Sequence, residues 1–199
     1  MNFLIRDIIY SSIKNLFINQ PEIFENTIHT NLTEWNLSYH LANEISKYLL
    51  WLDVDLDVSK RNYQNRRPDI IFHKRRTNIL NFLVIELKKS KYDNQSDIVK
   101  IKNDWMNEPL NYRFGAYINI WGLNKYKAML FDHTSVTIEV GDNCSYINEP
   151  DISNIITSKL KKLAEEMKIK ENVDTFDKVK QCNFIDINII NLFKNPPKF

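Results

Sequence analysis

A glutamate stands inside an apolar strand, and it limits what this chain can become. The run "FLVIEL" from Phe82 to Leu87 has the composition of a buried strand, yet Glu86 interrupts it and Lys88 follows two residues later. Upstream, a second apolar run, "IIFH", opens directly behind Pro68 and Asp69. Side chains alternate along a strand, so Phe82, Val84, Glu86 and Lys88 share one face and Leu83, Ile85 and Leu87 the other. Asp69–Lys74 and Asn81–Lys88 read as a β-hairpin around "RRTN". The start of the first strand of a hairpin lies opposite the end of the second, which places Asp69 beside Glu86 and Lys88. His73 shares the face of Asp69 and can approach the same place. Charges buried in a sheet are costly unless they are paired or hold a metal.

Two carboxylates a few ångströms apart repel unless a divalent cation joins them, and hard oxygen ligands suit Mg²⁺ or Mn²⁺. Such an ion polarises a phosphoryl oxygen and prepares a water for attack, while a lysine within reach orients the water and stabilises the developing charge. Phosphodiester hydrolysis needs all three parts. Plainer readings stand beside this one. Asp69 can be a turn residue behind a proline, and Glu86 can pair with Lys88 or a neighbouring arginine. Lys88 and Lys89 can simply mark the wet end of a strand.

The surrounding pattern is α/β. A helical rhythm runs from Phe3 to Ile18, Pro21 starts a short helical turn, and Leu37, Leu41, Ile45 and Leu49 mark a second long helix, capped by Asn31 or Thr33. "LDVDLDVS" alternates as a strand with one acidic face. Its aspartates mimic a calcium loop, but Val58 stands where that loop needs glycine and Gln64 where it needs glutamate. After the hairpin, a helix is expected over "DNQSDIVKIKNDWMN", with Ile98, Ile101 and Trp105 on one side. "YRFGAYINIWG", "KAMLFD" and "VTIEV" read as strands. From Asp151 or Ser153 an amphipathic helix follows, and "FIDINIINLF" is ambiguous between helix and strand. With no repeat and no linker, residues 1–199 read as a single domain: a three-layer α/β fold with a mixed sheet flanked by helices.

"RPD" followed by "VIELKK" resembles the signature of the PD-(D/E)xK nuclease superfamily. Pro68 and Asp69 match its first element, and Glu86, Leu87 and Lys88 its second. The resemblance implies a restriction-endonuclease-like core in the order α-β-β-β-α-β, here about residues 33–121; the N- and C-terminal helices are extra to it and not explained by it. It implies Asp69 and Glu86 as ligands of Mg²⁺ (or Mn²⁺), the Leu87 carbonyl as a further ligand, and Lys88 as the residue that positions the attacking water. A further glutamate on the helix before the first strand corresponds to Glu34. Three residues after Asn31, Glu34 can alternatively complete a capping box. Cleavage leaving a 5′-phosphate is likewise implied. The alternative is a non-cleaving member that keeps the fold to bind nucleic acid or a protein.

Composition bears on partners and setting. Net charge is +2, but between Lys60 and Lys102 stand 12 Lys and Arg against 4 Asp and Glu. One basic segment on a near-neutral chain suits a surface that meets a polyanion, and the resemblance makes DNA the first polyanion to consider. Arg66 and Arg67 are the first phosphate contacts to consider, with Lys89; Lys100 and Lys102 come after them. Three glycines leave no room for a phosphate-cradling loop, and two cysteines suggest a reducing, cytoplasmic setting. Arg6 and Asp7 break the apolar start, so neither a signal peptide nor a membrane span is expected. Cutting both strands of a duplex would take a homodimer or successive nicks.

Overall fold

The computed structural model describes residues 2–25, 33–49, 52–59, 66–75, 78, 80–134 and 136–148. The chain folds into α1 (Asn2–Asn19), α2 (Glu22–Glu25), α3 (Glu34–Ser46), β1 (Asp53–Leu56), β2 (Ile70–His73), β3 (Leu83–Lys88), α4 (Gln95–Lys100), β4 (Phe114–Gly122), β5 (Lys125–Phe131) and β6 (Thr137–Val140). α4 runs on into a π-helical turn, Ile101–Trp105. The expected amphipathic helix after Asp151, the "FIDINIINLF" segment and Cys182 lie outside the described residues.

The six strands form one mixed sheet in chain order, β1 to β6. Every neighbouring pair is antiparallel except β3 and β4. A parallel pair needs a crossover, and here α4 with its π-turn supplies it. Alternation along the strands sends side chains to two separate cores. Ile70, Phe72, Leu83, Ile85, Leu87, Ala116 and Ile118 pack with the apolar faces of α1 and α3. Ile71, Val84, Tyr117 and Phe131 pack with Ile101, Trp105 and Met106 on the opposite side. The protein is therefore α/β, with helical layers on both faces of the sheet. No helix among the described residues is long and apolar enough to cross a membrane.

One residue of the expected hairpin pattern differs. Phe82 precedes β3 and joins the α1–α3 core, edge-on to Phe114 at 5.4 Å, rather than the Glu86 face. The alternation begins only at Leu83, where the ladder begins. Thr33 caps α3, its hydroxyl accepting from Asn36 N at 3.1 Å. Glu34 is thus the first helical residue, and its carboxylate turns away to the sheet, as described below.

Candidate active site

Asp69 is fixed from two directions. Its carbonyl accepts from Asp57 N at 3.2 Å, extending the β1–β2 ladder, and its Oδ2 accepts from Leu87 N at 2.7 Å. The β2–β3 register pairs Ile70 with Ile85, so Asp69 falls opposite Glu86. A strand residue that hydrogen-bonds its neighbour presents N–H and C=O to the same side. The Leu87 carbonyl is therefore directed toward the Asp69 side as well.

Glu86 is 2% exposed and points into the α4 layer. Its Oε1 accepts from Trp105 Nε1 at 2.8 Å and faces Lys100 Nζ at 3.3 Å. Lys88 Nζ lies 3.2 Å from Glu34 Oε2 and 3.7 Å from Asp97 Oδ2. Glu34 Oε1 also accepts from Lys89 N at 3.3 Å, which ties the first turn of α3 to the end of β3. Asp97 Oδ1 meets Lys100 Nζ at 3.1 Å, while its buried Oδ2 accepts no hydrogen bond. The result is a line of alternating charge: Glu34, Lys88, Asp97, Lys100, Glu86, with Asp69 alongside.

Burial and then the nearby Asp69 carboxylate push the Glu86 carboxyl up to about 7, against the opposing pull of Lys100 and the Trp105 N–H. Burial raises Asp69 too, partly offset by the Leu87 N–H and the Lys88 charge. Burial alone would lower Lys88, but Asp69 and Glu34 outweigh it and hold the ammonium above its usual range. Lys88 is therefore a cation at neutral pH. It can donate hydrogen bonds and stabilise negative charge, but it has no lone pair with which to take a proton.

Among the described residues, no group of three or more His, Cys, Asp or Glu side chains could by itself hold a metal ion. The donor set that fits Mg²⁺ or Mn²⁺ is instead two carboxylates and a carbonyl. The Leu87 N–H meets Asp69 at Oδ2, and Trp105 and Lys100 meet Glu86 at Oε1, which leaves Asp69 Oδ1, Glu86 Oε2 and, by strand geometry, the Leu87 carbonyl as the oxygens to consider. All three are hard oxygen donors.

The expected phosphate contacts lie apart from one another. Arg66 ion-pairs with Asp104 beyond α4, on a surface groove of about 580 Å³ that Lys100 also lines. Arg67 pairs with Asp57 at 3.3 Å. Lys89 is exposed at the strand end. Lys102 turns its ammonium over the Phe131 ring, 4.6 Å from the centroid. His73 does not join the carboxylates: its Nε2 lies 2.8 Å from Asp55 Oδ2, because Asp53 and Asp55 on β1 flank it across the ladder.

Two further residues at the site, Asp97 and Trp105, carry no site signature of their own in the sequence. The i, i+3 spacing of Asp97 and Lys100 was visible, and on a helix it places them on one face with Ile101 and Trp105. Trp105 falls in the apolar stripe of that helix, and its spacing does not reveal that the indole N–H donates to Glu86. Compared with family models, curated proteins and solved structures, the chain finds no match in any of the three.

Proposed function

We propose that the chain is a metal-dependent nuclease of restriction-endonuclease-like fold that hydrolyses nucleic-acid phosphodiester bonds, DNA before RNA. The observation that supports this is the meeting of Asp69, Glu86 and Lys88 at one end of the hairpin, with Glu34 reaching in from α3. Asp69, Glu86 and the Leu87 carbonyl would hold Mg²⁺ or Mn²⁺, with Glu34 joining directly or through water. The ion would supply Lewis-acid polarisation of a phosphoryl oxygen and a water of lowered pKa. Lys88 donates to that water and stabilises the negative charge that grows on the phosphoryl group. Asp97, 3.7 Å from Lys88, keeps the ammonium charged and in place. Arg66 and Arg67 would contact phosphates by exchanging Asp104 and Asp57 for the backbone, with Lys89 beside them. A reducing, cytoplasmic setting and a homodimer for double-strand cuts complete the reading.

One observation favours a second reading. Lys100 Nζ stands 3.3 Å from Glu86 and neutralises it with a side chain instead of an ion. On that reading the charges are a structural network, and the chain binds nucleic acid or a protein without cutting.

Cleavage of supercoiled plasmid and of end-labelled single- and double-stranded oligonucleotides separates the two. Wild type is expected to cut with Mg²⁺ or Mn²⁺, whereas Asp69→Ala and Lys88→Ala fold and do not. Undiminished cutting by Lys88→Ala would remove the mechanism. A melting temperature of wild type that ignores both ions, with no cutting, would favour the binding module.

A further inference from the structure

The first turns of α3 carry two large aromatic side chains that the core does not use. Trp35 is 59% exposed and Tyr39 45% exposed. Their rings lie nearly parallel, 14° apart with centroids separated by 6.2 Å, and His40 braces Tyr39 edge-on at 5.3 Å. Four residues apart, they occupy one stripe of the helix. This stripe begins one residue after Glu34, whose carboxylate bridges to Lys88 and Lys89. A third exposed ring follows the end of β3 in the chain. Tyr92, four residues past Lys88, is 72% exposed, and the exposed Lys91 places its ammonium 4.9 Å from that ring's centroid. The backbone at Tyr92 is fixed, its N–H donating to Ser90 Oγ at 3.0 Å and its carbonyl accepting from Asn119 Nδ2 at 3.4 Å. Neither aromatic segment is therefore a loose surface decoration: one is on a capped helix, the other on a pinned turn.

An exposed, nearly parallel aromatic pair on the helix that carries Glu34, and an exposed ring with its own lysine past the end of β3, match the kind of surface on which unpaired bases stack. A duplex hides the faces of its bases, so such rings gain nothing from it. We propose that Trp35 and Tyr39, joined by Tyr92 past the end of β3, form a stacking platform that selects single-stranded nucleic acid and lays its backbone over Lys88. The proposal rests on the nuclease reading for its orientation, but the platform itself needs no metal.

Every base has a π-face, so the platform is indifferent to sequence, and stacking on one aromatic ring is typically worth about 1–3 kcal/mol by alanine substitution. That corresponds to roughly a fivefold to 150-fold change in affinity per ring. The test is fluorescence anisotropy of a labelled oligothymidylate and of a blunt duplex of equal length, with the full chain in EDTA so that nothing is cut. Wild type is expected to bind the single strand at least about tenfold more tightly than the duplex. Trp35→Ala and Tyr39→Ala should each weaken single-strand binding at least about fivefold, whereas Trp35→Phe, which keeps a ring, should retain most of it. Both positions are exposed, so unchanged melting temperatures are expected for all variants.

Equal affinity of wild type and Trp35→Ala for the oligothymidylate would overturn the platform, as would tighter binding to the duplex. A wild-type dimer that Trp35→Ala dissociates, with no effect on the oligonucleotide, would overturn it in favour of a self-association surface. The two proposals fail separately. Single-strand binding that depends on Trp35, without cleavage in Mg²⁺ or Mn²⁺, refutes the nuclease and keeps the platform. Cleavage that depends on Asp69 but is indifferent to Trp35 on single strands does the reverse.

Discussion

Glu86 titrates where cells work, and its neighbours explain why. Burial disfavours its charge, Asp69 disfavours it further, and the Trp105 N–H and Lys100 recover only part of the loss, leaving it at about 7. The folded state therefore keeps a proton that the unfolded chain releases near the ordinary value of 4.5. Stability from this group is complete below that ordinary value and is lost as pH rises through about 7. Glu86→Gln keeps the shape and removes the charge. Without metal, its stability is expected to match wild type at low pH and to exceed it at pH near 8, by roughly 1–3 kcal/mol. Urea denaturation in EDTA at the two pH values measures this; a difference that does not change with pH would mean that another group titrates. The hairpin trio was legible in the sequence because strand alternation and antiparallel pairing are simple rules. His73 obeyed the same alternation yet went to Asp55, because the acidic face of β1 offered it a partner across the ladder. Alternation settles a face; it does not settle which residue waits there.

At the scale of elements, the site depends on how closely the crossover approaches the sheet. Gly115 on β4 makes that approach possible. A Cβ there would meet Ile101 Cγ2 at 2.2 Å and Met106 Sδ at 2.9 Å. Ile101 opens the π-turn, in which Met106 N donates to Ile101 O at 3.0 Å, and that turn delivers Trp105 to Glu86. Gly115→Ala is expected to cost about 1–3 kcal/mol, as overpacking does, and to reduce any melting shift produced by Mg²⁺. Thermal unfolding with and without the ion tests both parts; an unaltered protein would mean that the π-turn is not seated on β4. The apolar spacing of Ile98, Ile101 and Trp105 announced a helix but not its change of pitch. A wider turn needs one more residue per hydrogen bond, and no side-chain pattern in so short a segment encodes that. Glu34 shows the same limit from the other side. Thr33 makes the observed cap, so Glu34 is the first helical residue, and its carboxylate meets Lys88.

At the scale of the molecule, the helices behind the sheet are tied together by buried polar contacts. Tyr48 OH accepts from Asn15 Nδ2 at 2.9 Å and donates to the Ile147 carbonyl at 3.0 Å, and Ile147 N donates to Ser11 Oγ at 2.8 Å. These join α1, the end of α3 and the segment after β6. Tyr48→Phe would strand a buried carbonyl and is expected to cost about 1–3 kcal/mol in chemical denaturation. A loss well below that range would show that water reaches Ile147. The layered architecture itself was legible, since α1, α3 and the strands carry clear periodicities. These long-range polar ties were not, because a tyrosine in a helical stripe reads as core and its hydroxyl names no partner.

The parallel pairing of β3 with β4 has a consequence for how the parts of the candidate site depend on one another. α3, β1 and the hairpin need only residues up to Lys88, and local pairing suffices to bring Asp69 to Glu86. Lys100 and Trp105 lie on the crossover that joins β3 to the parallel β4. Non-local parallel pairing is the slower step. The acidic pair therefore rests on local pairing, and the lysine that counterbalances Glu86 on a non-local one.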